Sequence, residues 1–321
     1  MKTLFRWFLR FVGGVLMLSL VLLAWFWKSD KPKEVLRQKY APAPSAFVEV
    51  QGMEVHYRRE GNCQDDTPIV LLHGTGASLH TWDGWVASLA ANHCVVRLDL
   101  PAYGLTGPHP KGDYSMASYV SFLNDFLDKQ HIKQCVLGGN SLGGSIAWNY
   151  ALQYPDRVVA LILVDAGGYP ASKTTKRESP VAFKLATMPV VKNLFRYVLP
   201  RSVIEKSIAN VYGDPSLISD ELINRYYELS LHPGNRQAFI DRMSSRSKPT
   251  DTLLIKRLQM PALVMWGDRD LLIPLECAYK FQRDLPNDTL VVFKDLGHVP
   301  MEENPLLTVE VVKQFLAKLS K

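Results

Sequence analysis

The chain has 321 residues, 47% of them hydrophobic, which is enough to bury a large core. The sequence has no tandem repeats, which excludes a solenoid. Its glycine and proline contents are average, at 20 residues each, which excludes a disordered scaffold. The net charge of +6 arises within residues 1–40, where eight Lys/Arg accompany two Asp/Glu, and the neutral remainder excludes a nucleic-acid partner.

The first element in chain order is an apolar segment over residues 7–27. Residues 11–27, FVGGVLMLSLVLLAWFW, carry no charge, and the apolar run continues on the other side of Arg10. About 21 helical residues span about 30 Å, the thickness of the hydrocarbon core of a bilayer. The sequence therefore predicts a transmembrane signal-anchor helix. A cleaved signal peptide is the alternative, but the run ends in Trp-Phe-Trp, where small residues would be needed.

The flanks of this segment give conflicting indications of its orientation. Three Lys/Arg precede the uncharged run of residues 11–27 and five follow it, which by the positive-inside rule places the bulk of the chain in the cytosol. A short N-terminal tail before a signal-like segment favours export instead, and we expect the domain on the periplasmic or extracytoplasmic side. The charged, proline-containing residues 28–45 are predicted to be a linker.

From residue 46 onwards, short apolar runs alternate with helical patterns. A hairpin is predicted around Gln51-Gly52, and buried strands are predicted at 69–73, 94–100, 135–139, 158–166, 262–267 and 289–293. Helices are predicted at about 82–91, 115–130, 145–154, 274–285 and 305–319. This alternation predicts an α/β fold with a mostly parallel sheet flanked by helices, over residues 46–167 and 258–321.

Residues 168–257 interrupt the alternation, because they contain helical patterns and no convincing strand. We predict a helical cap or lid over the carboxyl edge of the sheet, where ligands bind in open α/β folds. Residues 171–257 carry fifteen Lys/Arg and eight Asp/Glu. This excess is either a solvated surface or a face toward an anionic membrane or an acidic substrate group.

The four cysteines are scattered singly, which excludes a CxxC metal pair and a dense disulfide framework. Cys94 and Cys135 each open an apolar run, so we expect buried, inert thiols there. The sequence predicts no metal site and no cofactor.

A single serine stands at a strand-to-helix junction in residues 136–150, VLGGNSLGGSIAWNY. The sequence around Ser141 matches G-x-S-x-G, in which Gly139 and Gly143 allow a turn so tight that the hydroxyl points outward from a strained backbone. The helix that follows directs its N-terminal amides toward the same place. Ser141 is therefore the candidate nucleophile.

A serine hydroxyl needs a base, and the base needs an acid that fixes its tautomer. Of the eight histidines, His298 is the candidate base, because it lies in a loop between the last predicted strand and the last predicted helix. Asp270, after the strand ALVMWG, is the candidate acid, with Asp268 and Asp165 as alternatives. The order Ser141, Asp270, His298 is that of G-x-S-x-G enzymes.

Negative charge on the substrate oxygen needs fixed hydrogen-bond donors. The amide of Leu142, after the nucleophile, is one candidate donor. The second is the amide of Thr75 in the loop HGTG, where Gly74 permits a close approach. His73, at the end of its strand, is expected to support this loop.

These motifs, LLHGTGAS, DLPAYGLTG, GGNSLGG, GDRDLLIP and GHVPMEENP, occur in the order and spacing of α/β-hydrolases of the esterase/lipase type, which the chain resembles over about residues 46–320. With its N-terminal segment it resembles membrane-anchored monoacylglycerol-lipase-like esterases. The resemblance implies an α/β-hydrolase fold with a lid, an acyl-enzyme on Ser141, and carboxylic esters or monoacylglycerol-type lipids as substrates.

Single residues separate this chain from related chemistries. Haloalkane dehalogenases and epoxide hydrolases of this fold use an aspartate in place of Ser141. Carbon–carbon bond hydrolases of ring-cleavage products share the GNS turn but usually carry a tryptophan where this chain has Val299, and a longer glycine run in the oxyanion loop. That reaction stays an alternative, as does a catalytically dormant, membrane-tethered binding protein.

Overall fold

Eight strands form one sheet in the part of the chain that the structure describes. In this computed structural model those residues are 3–7, 10–14, 17, 27–64, 67–172, 174–189, 191–245 and 251–319. The strands are β1 (Ser45–Val50), β2 (Met53–Glu60), β3 (Ile69–Leu72), β4 (Val95–Leu98), β5 (Cys135–Asn140), β6 (Val158–Val164), β7 (Ala262–Gly267) and β8 (Asp288–Phe293). These bounds confirm the strands predicted from the apolar runs.

The order across the sheet is β1-β2-β4-β3-β5-β6-β7-β8, antiparallel between β1, β2 and β4 and parallel elsewhere. Parallel pairing brings the carboxyl ends of neighbouring strands to one edge. There Leu72 pairs with Gly139, Asn140 with Val164, and Gly267 with Phe293. Every loop that carries a candidate site residue leaves the sheet at this edge.

Helices cover both faces of the sheet. From residue 33 onwards they are α1 (Lys33–Tyr40), α2 (Asp83–Leu89), α3 (Met116–Lys129), α4 (Leu142–Gln153), α5 (Val181–Thr187), α6 (Val191–Phe195), α7 (Arg201–Ala209), α8 (Asp220–Ser230), α9 (Asn235–Ser244), α10 (Glu276–Asp284), α11 (Pro300–Glu303) and α12 (Pro305–Leu319). Short 3-10 helices lie at Leu79–Trp82, Pro155–Arg157, Pro215–Leu217 and Thr252–Arg257.

The core has one apolar layer on each side of the sheet. Helices α3, α4 and α10 bury Phe122, Ile146 and Phe281 on one side, while α2 and α12 bury Trp85 and Val312 on the other. Each such side chain contributes about 1.5–3 kcal/mol when it leaves water. The strands are therefore held rigidly under the loops at the carboxyl edge.

Five helices, α5 to α9, form the lid within the described residues of 168–257. They have a small apolar cluster of their own, made of Ala182, Ala186, Phe195, Leu199, Leu231 and Ile240. The lid is helical, as predicted. The first helical stretch of its sequence, residues 179–199, divides into two helices, α5 and α6, because Pro189 cannot continue a helix. Helix α9 was not predicted, because its apolar residues, Ala238, Phe239, Ile240 and Met243, extend over less than two turns and give only a short periodic signal.

The linker predicted over residues 28–45 is in large part a packed helix. Helix α1 buries Leu36 and Tyr40, four residues apart on one face, in a cluster with Leu105 and Leu229. The charges and prolines of this segment had indicated an extended tether. These two apolar side chains, together with hydrogen bonds from Lys39 and Tyr40 to Glu228, dock it between core and lid.

The expected free thiol at Cys94 is instead a disulfide with Cys63. Cys94 immediately precedes β4, and Cys63 follows β2, the antiparallel neighbour of β4, so the two Cα atoms lie 4.5 Å apart. Sequence separation alone gave no sign of this pairing. Cys135 is a buried free thiol, as expected.

The predicted membrane span of residues 7–27 lies in part outside the described residues, at 8–9, 15–16 and 18–26. Where the structure does describe the chain, no helix has both the length and the apolar character to cross a bilayer.

Candidate active site

Ser141 occupies the turn between β5 and α4. Its φ of 54° is in the left-handed region, which a serine adopts only under strain. A Cβ on Gly139 would overlap the backbone of Gly143, and a Cβ on Gly143 would overlap the carbonyl oxygen of Leu72. Both glycines of the motif are therefore required by backbone contacts.

Neighbouring loops fix the backbone of this turn. The Ser141 amide donates a hydrogen bond of 3.1 Å to the Val164 carbonyl at the end of β6, and the Ser141 carbonyl accepts one of 3.0 Å from Gly167. Strand β6 thus holds the nucleophile from one side. Such fixed partners are what keeps a strained conformation in place.

Asp270 and His298 form a buried pair on the loops after β7 and β8. Asp270 Oδ2 accepts a hydrogen bond of 2.6 Å from His298 Nδ1, while Asp270 Oδ1 accepts bonds of 2.8 and 2.9 Å from the amides of Leu272 and Ile273. This bond leaves Nε2 as the imidazole nitrogen that can take up a proton. Asp270 and His298 are both 4% exposed, so little water competes for the bond.

The two alternative acids accept hydrogen bonds from backbone amides and not from His298. Asp268 is exposed, and its Oδ1 accepts a hydrogen bond of 2.7 Å from the Asp295 amide. Asp165 is fully buried at the end of β6, where its Oδ1 accepts a bond of 3.0 Å from the Gly267 amide. Of the three candidates, Asp270 is the one hydrogen-bonded to His298.

Ser141 and His298 lie on the walls of one cavity. Among the described residues, the Ser141 hydroxyl makes no direct hydrogen bond to the His298 ring. Catalytic hydrogen bonds of this kind are often long in ligand-free structures and tighten when substrate binds. The structure thus brings the base to the nucleophile's cavity without joining the two atoms.

The predicted oxyanion loop lies directly over the nucleophile. A Cβ on Gly74 would lie 2.7 Å from Asn140 Oδ1 and 3.2 Å from Ser141 Cβ, which leaves room for glycine only. Thr75 follows in the cavity wall. Leu142 begins α4, and its side chain is buried in the main core, so its contribution to the site is its amide.

His73 supports this loop, as expected. Its Nδ1 donates a hydrogen bond of 2.7 Å to the Gly74 carbonyl, and its Nε2 accepts one of 2.9 Å from the Leu100 amide. Complete burial lowers the pKa of His73, so the ring stays neutral with this arrangement of protons. The imidazole holds the loop and does not face the cavity.

Sequence reasoning missed three residues that position His298. Asn140 Nδ2 donates bonds of 2.9 Å to the His298 carbonyl and 3.2 Å to the Val164 carbonyl. Glu303 accepts bonds of 2.7 Å from the amides of Gly297 and Gly213. The Val211 carbonyl accepts a bond of 2.7 Å from the His298 amide. Asn140 stands within the GNS motif and could have been found there, whereas the other two are visible only in the fold.

The cavity lies between the carboxyl edge of the sheet and the lid, and its walls are mostly apolar. From the lid, Phe183, Phe195 and Phe239 contribute to it, with ring centroids 5.7 Å apart for the first and third and 6.1 Å for the last two. Arg236 stands in the same wall, paired at 2.7 Å with Asp30. This space suits a largely apolar ligand.

The same carboxyl edge groups Asp165, Asp270 and His298 closely enough to be considered metal ligands. The Asp270 oxygens and His298 Nδ1, however, are used in direct hydrogen bonds, the closest of 2.6 Å. The group therefore fits acid–base chemistry better than coordination of a cation.

A serine at a strand–turn–helix junction, beside a buried Asp–His pair at the edge of a mostly parallel sheet, is the arrangement of hydrolases with an α/β-hydrolase fold. The sequence as a whole agrees, because the profile of the alpha/beta hydrolase fold family matches residues 67–305. The chain therefore belongs to this family.

Its relatives catalyse different hydrolyses. The chain is 29% identical over 263 residues to the 2-hydroxy-6-oxo-2,4-heptadienoate hydrolase of Pseudomonas putida, covering 78% of this chain and 89% of the relative. It is 26% identical over 271 residues to Lipase 1 of Psychrobacter immobilis, covering 82% and 81%. The crystal structure of a membrane phospholipase A, a bacterial virulence factor, has the same fold with a TM-score of 0.74 and 24% identity, covering 97% of this chain and 99% of that chain.

Proposed function

We propose that this protein is a serine hydrolase that cleaves carboxylic esters through an acyl-enzyme on Ser141. The observation that carries the proposal is the 2.6 Å hydrogen bond between Asp270 and His298, on the wall of the cavity that contains Ser141. A buried carboxylate on Nδ1 stabilises the imidazolium that forms when Nε2 takes a proton.

In the first half of the reaction, Ser141 Oγ attacks the ester carbonyl carbon and its proton moves to His298 Nε2. The amides of Thr75 and Leu142 stabilise the negative oxygen, each worth about 3 kcal/mol of barrier. When the intermediate collapses, the C–O bond breaks and the alcohol leaves with the proton from His298. In the second half, His298 takes a proton from water, whose oxygen attacks the acyl carbonyl carbon. The bond from that carbon to Ser141 Oγ then breaks, His298 returns the proton to Oγ, and the carboxylic acid is released.

The substrates we propose are lipid-like esters, including monoacylglycerols. The apolar cavity walls and the three lid phenylalanines support an acyl chain as ligand. The similarity to Lipase 1 of Psychrobacter immobilis points in the same direction. Turnover of a series of p-nitrophenyl esters of increasing acyl length would measure which chain length the enzyme prefers.

Hydrolysis of a carbon–carbon bond is a second candidate, favoured by one relative and one residue. The relative from Pseudomonas putida acts, by its name, on a 2-hydroxy-6-oxo-2,4-heptadienoate, which is a carboxylate. Arg236 provides a guanidinium in the wall of this mostly apolar cavity, with one of its nitrogens paired to Asp30. Turnover of a dienoate of this type, more efficient than turnover of any ester in the series, would support this candidate over the first.

The decisive experiment compares two serine variants of the full chain. Ser141→Ala is expected to lose ester turnover and fluorophosphonate labelling. Ser145→Ala is the matched control on the same helix, since its hydroxyl donates to the Ser141 carbonyl and is absent from the cavity wall. Retained turnover in Ser141→Ala would refute the proposal. If the fluorophosphonate did not label the wild-type protein either, a catalytically dormant binding protein would be the better description.

We further propose that the domain is exported and attached to a membrane by residues 7–27. The uncharged sequence of residues 11–27 supports attachment. The disulfide between Cys63 and Cys94 supports an oxidising compartment. Protease treatment of cells from which any outer membrane has been removed is expected to degrade the domain if it is exported, whereas protection until the inner membrane is lysed contradicts export.

A further inference from the structure

A second buried carboxyl group lies beside the Asp270–His298 pair. Asp165 ends β6, is fully buried, and has a φ of 44° in the left-handed region. One oxygen of Asp165, one of Asp270 and one ring nitrogen of His298 all lie within 4.8 Å of one another. Asp165 is absent from the cavity wall, and the reaction described above gives it no part.

The two carboxyl groups have unequal sets of hydrogen-bond donors. Asp270 accepts from three N–H groups, on His298, Leu272 and Ile273. Asp165 accepts one bond from Gly267 through Oδ1, and its Oδ2 has no N–H or O–H donor among the described residues. Two neighbouring buried carboxylates repel each other, and sharing one proton removes the repulsion. The proton belongs on the group with fewer donors.

We propose that Asp165 is a neutral carboxylic acid whose O–H donates to Asp270, and that it is a positioning residue for the Asp270–His298 pair. The role in catalysis rests on the function proposed above. Burial and the neighbouring Asp270 both raise the pKa of Asp165 well above its usual range, in agreement with this protonation state.

The groups around Asp165 explain why a neutral acid is suited to this place. Asp270, His298 and Glu303 face it, and burial also raises the pKa of Glu303. A second carboxylate here would favour the protonated imidazole of His298 and so oppose its proposed role as a base. A carboxylic acid fixes the orientation of Asp270 without adding that charge.

The pH dependence of kcat/KM tests the charge of Asp165. In Asp165→Asn the amide N–H replaces the O–H as hydrogen-bond donor, so the charge at this position stays the same. The acid limb of the pH profile of kcat/KM, which reports His298 in the free enzyme, is therefore expected to shift by less than about 0.3 pH unit. Were Asp165 ionised, the same change would remove a buried negative charge near His298 and lower the limb by about one pH unit or more, which would overturn the proposal.

A second variant tests the positioning role. Asp165→Leu is similar in size but cannot donate, so kcat is expected to fall about tenfold while KM stays within about twofold, because the residue does not line the cavity. An unchanged kcat would contradict the role. Asp268→Asn, which removes an exposed carboxylate on the loop after β7, is the control for loss of charge.

Protein stability tests the protonation state without any substrate, so it stays informative if the proposed function fails. The raised pKa means that native Asp165 keeps a proton that the unfolded chain releases above about pH 4. Wild-type stability relative to Asp165→Asn therefore falls as pH rises, with the unfolding equilibrium ratio changing about tenfold per pH unit. A constant ratio between pH 5 and 8 would refute the proposal. Asp165→Ser, also a neutral donor, serves if the Asn variant does not fold.

Discussion

The α/β core and the lid meet at one cavity, yet they hold their residues by different means. Asp270 and His298 are buried at the edge of a sheet covered on both faces, and each has fixed hydrogen-bond partners. The lid has a small apolar cluster and many exposed charged residues. Burial contributes about 25 cal/mol per Å². We therefore expect the core to fix the chemistry and the lid to select the substrate.

The largest expected effect is a change at the acid in the core. Asp270→Asn keeps the shape of the side chain but cannot stabilise the imidazolium, so kcat is expected to fall about 10⁴-fold for every ester tested. Initial rates over a range of chain lengths measure this. The exposed Asp268→Asn is the control, and an equal loss there would contradict the assignment of Asp270.

Removal of the Asn140 side chain should have a smaller effect of the same kind. Asn140→Ala leaves the buried carbonyls of His298 and Val164 without this donor, at about 1–3 kcal/mol each. We expect a lower melting temperature and a kcat reduced about 10- to 100-fold with KM little changed. The exposed Asn62→Ala is the matched control. A change in KM alone would show that Asn140 belongs to substrate binding.

Truncation of a lid side chain should change selection and not chemistry. Phe239 lines the cavity and contacts Phe183 and Phe195, and each aromatic contact is worth about 0.5–1.5 kcal/mol. In Phe239→Ala we expect KM for the longest esters to change about 3- to 10-fold, with kcat for the shortest ester nearly constant. Leu217→Ala, exposed elsewhere on the lid, is the control. A uniform loss of kcat would break the comparison between core and lid.

The smallest expected effect concerns the contact of the lid with α1. Burial alone raises the pKa of Glu228, but hydrogen bonds from Lys39, Tyr40 and Lys31 outweigh it and lower the pKa to about 2. Because the folded pKa is below the unfolded one, the stabilisation is present above about pH 4.5 and is lost as pH falls toward 2. Its size is below about 1 kcal/mol after solvent screening.

Urea unfolding of wild type and Glu228→Gln at several pH values measures the pH-dependent stabilisation that Glu228 contributes. The difference between the two proteins should be largest near pH 6 and should shrink as the pH is lowered. A difference independent of pH would show that the carboxylate charge contributes nothing to holding α1 on the lid.

Most of the core could be predicted from the sequence, because its physical signals are local. Uninterrupted apolar runs located every strand from β3 to β8, and the turn at Ser141 was visible in its flanking glycines. Asp270 was one of three candidates, because the sequence predicts where a strand ends and a loop begins but does not predict which carboxylate lies next to His298. In the fold, Asp270 is the one of the three that is hydrogen-bonded to His298.

The signals that were missed depend on distant partners. Helix α1 looked like a charged linker, because its docking depends on two side chains, Leu36 and Tyr40, meeting Leu105 and Leu229. The bond between Cys63 and Cys94 depends on the pairing of β2 with β4. The division of the lid at Pro189 could have been predicted from the proline, whereas the apolar residues of helix α9 extend over less than two turns and gave only a short periodic signal.

The hydrogen bond from the His298 amide to the Val211 carbonyl, 2.7 Å long, crosses from the core to the lid. If the lid moved away as one rigid body, the His298 amide would lose this hydrogen bond, and a buried amide without a partner costs about 1–3 kcal/mol. Admission of substrate and alignment of the base are thus linked on this side of the cavity. Substrate entry that keeps the imidazole in place therefore requires movement of lid segments other than the one that carries Val211.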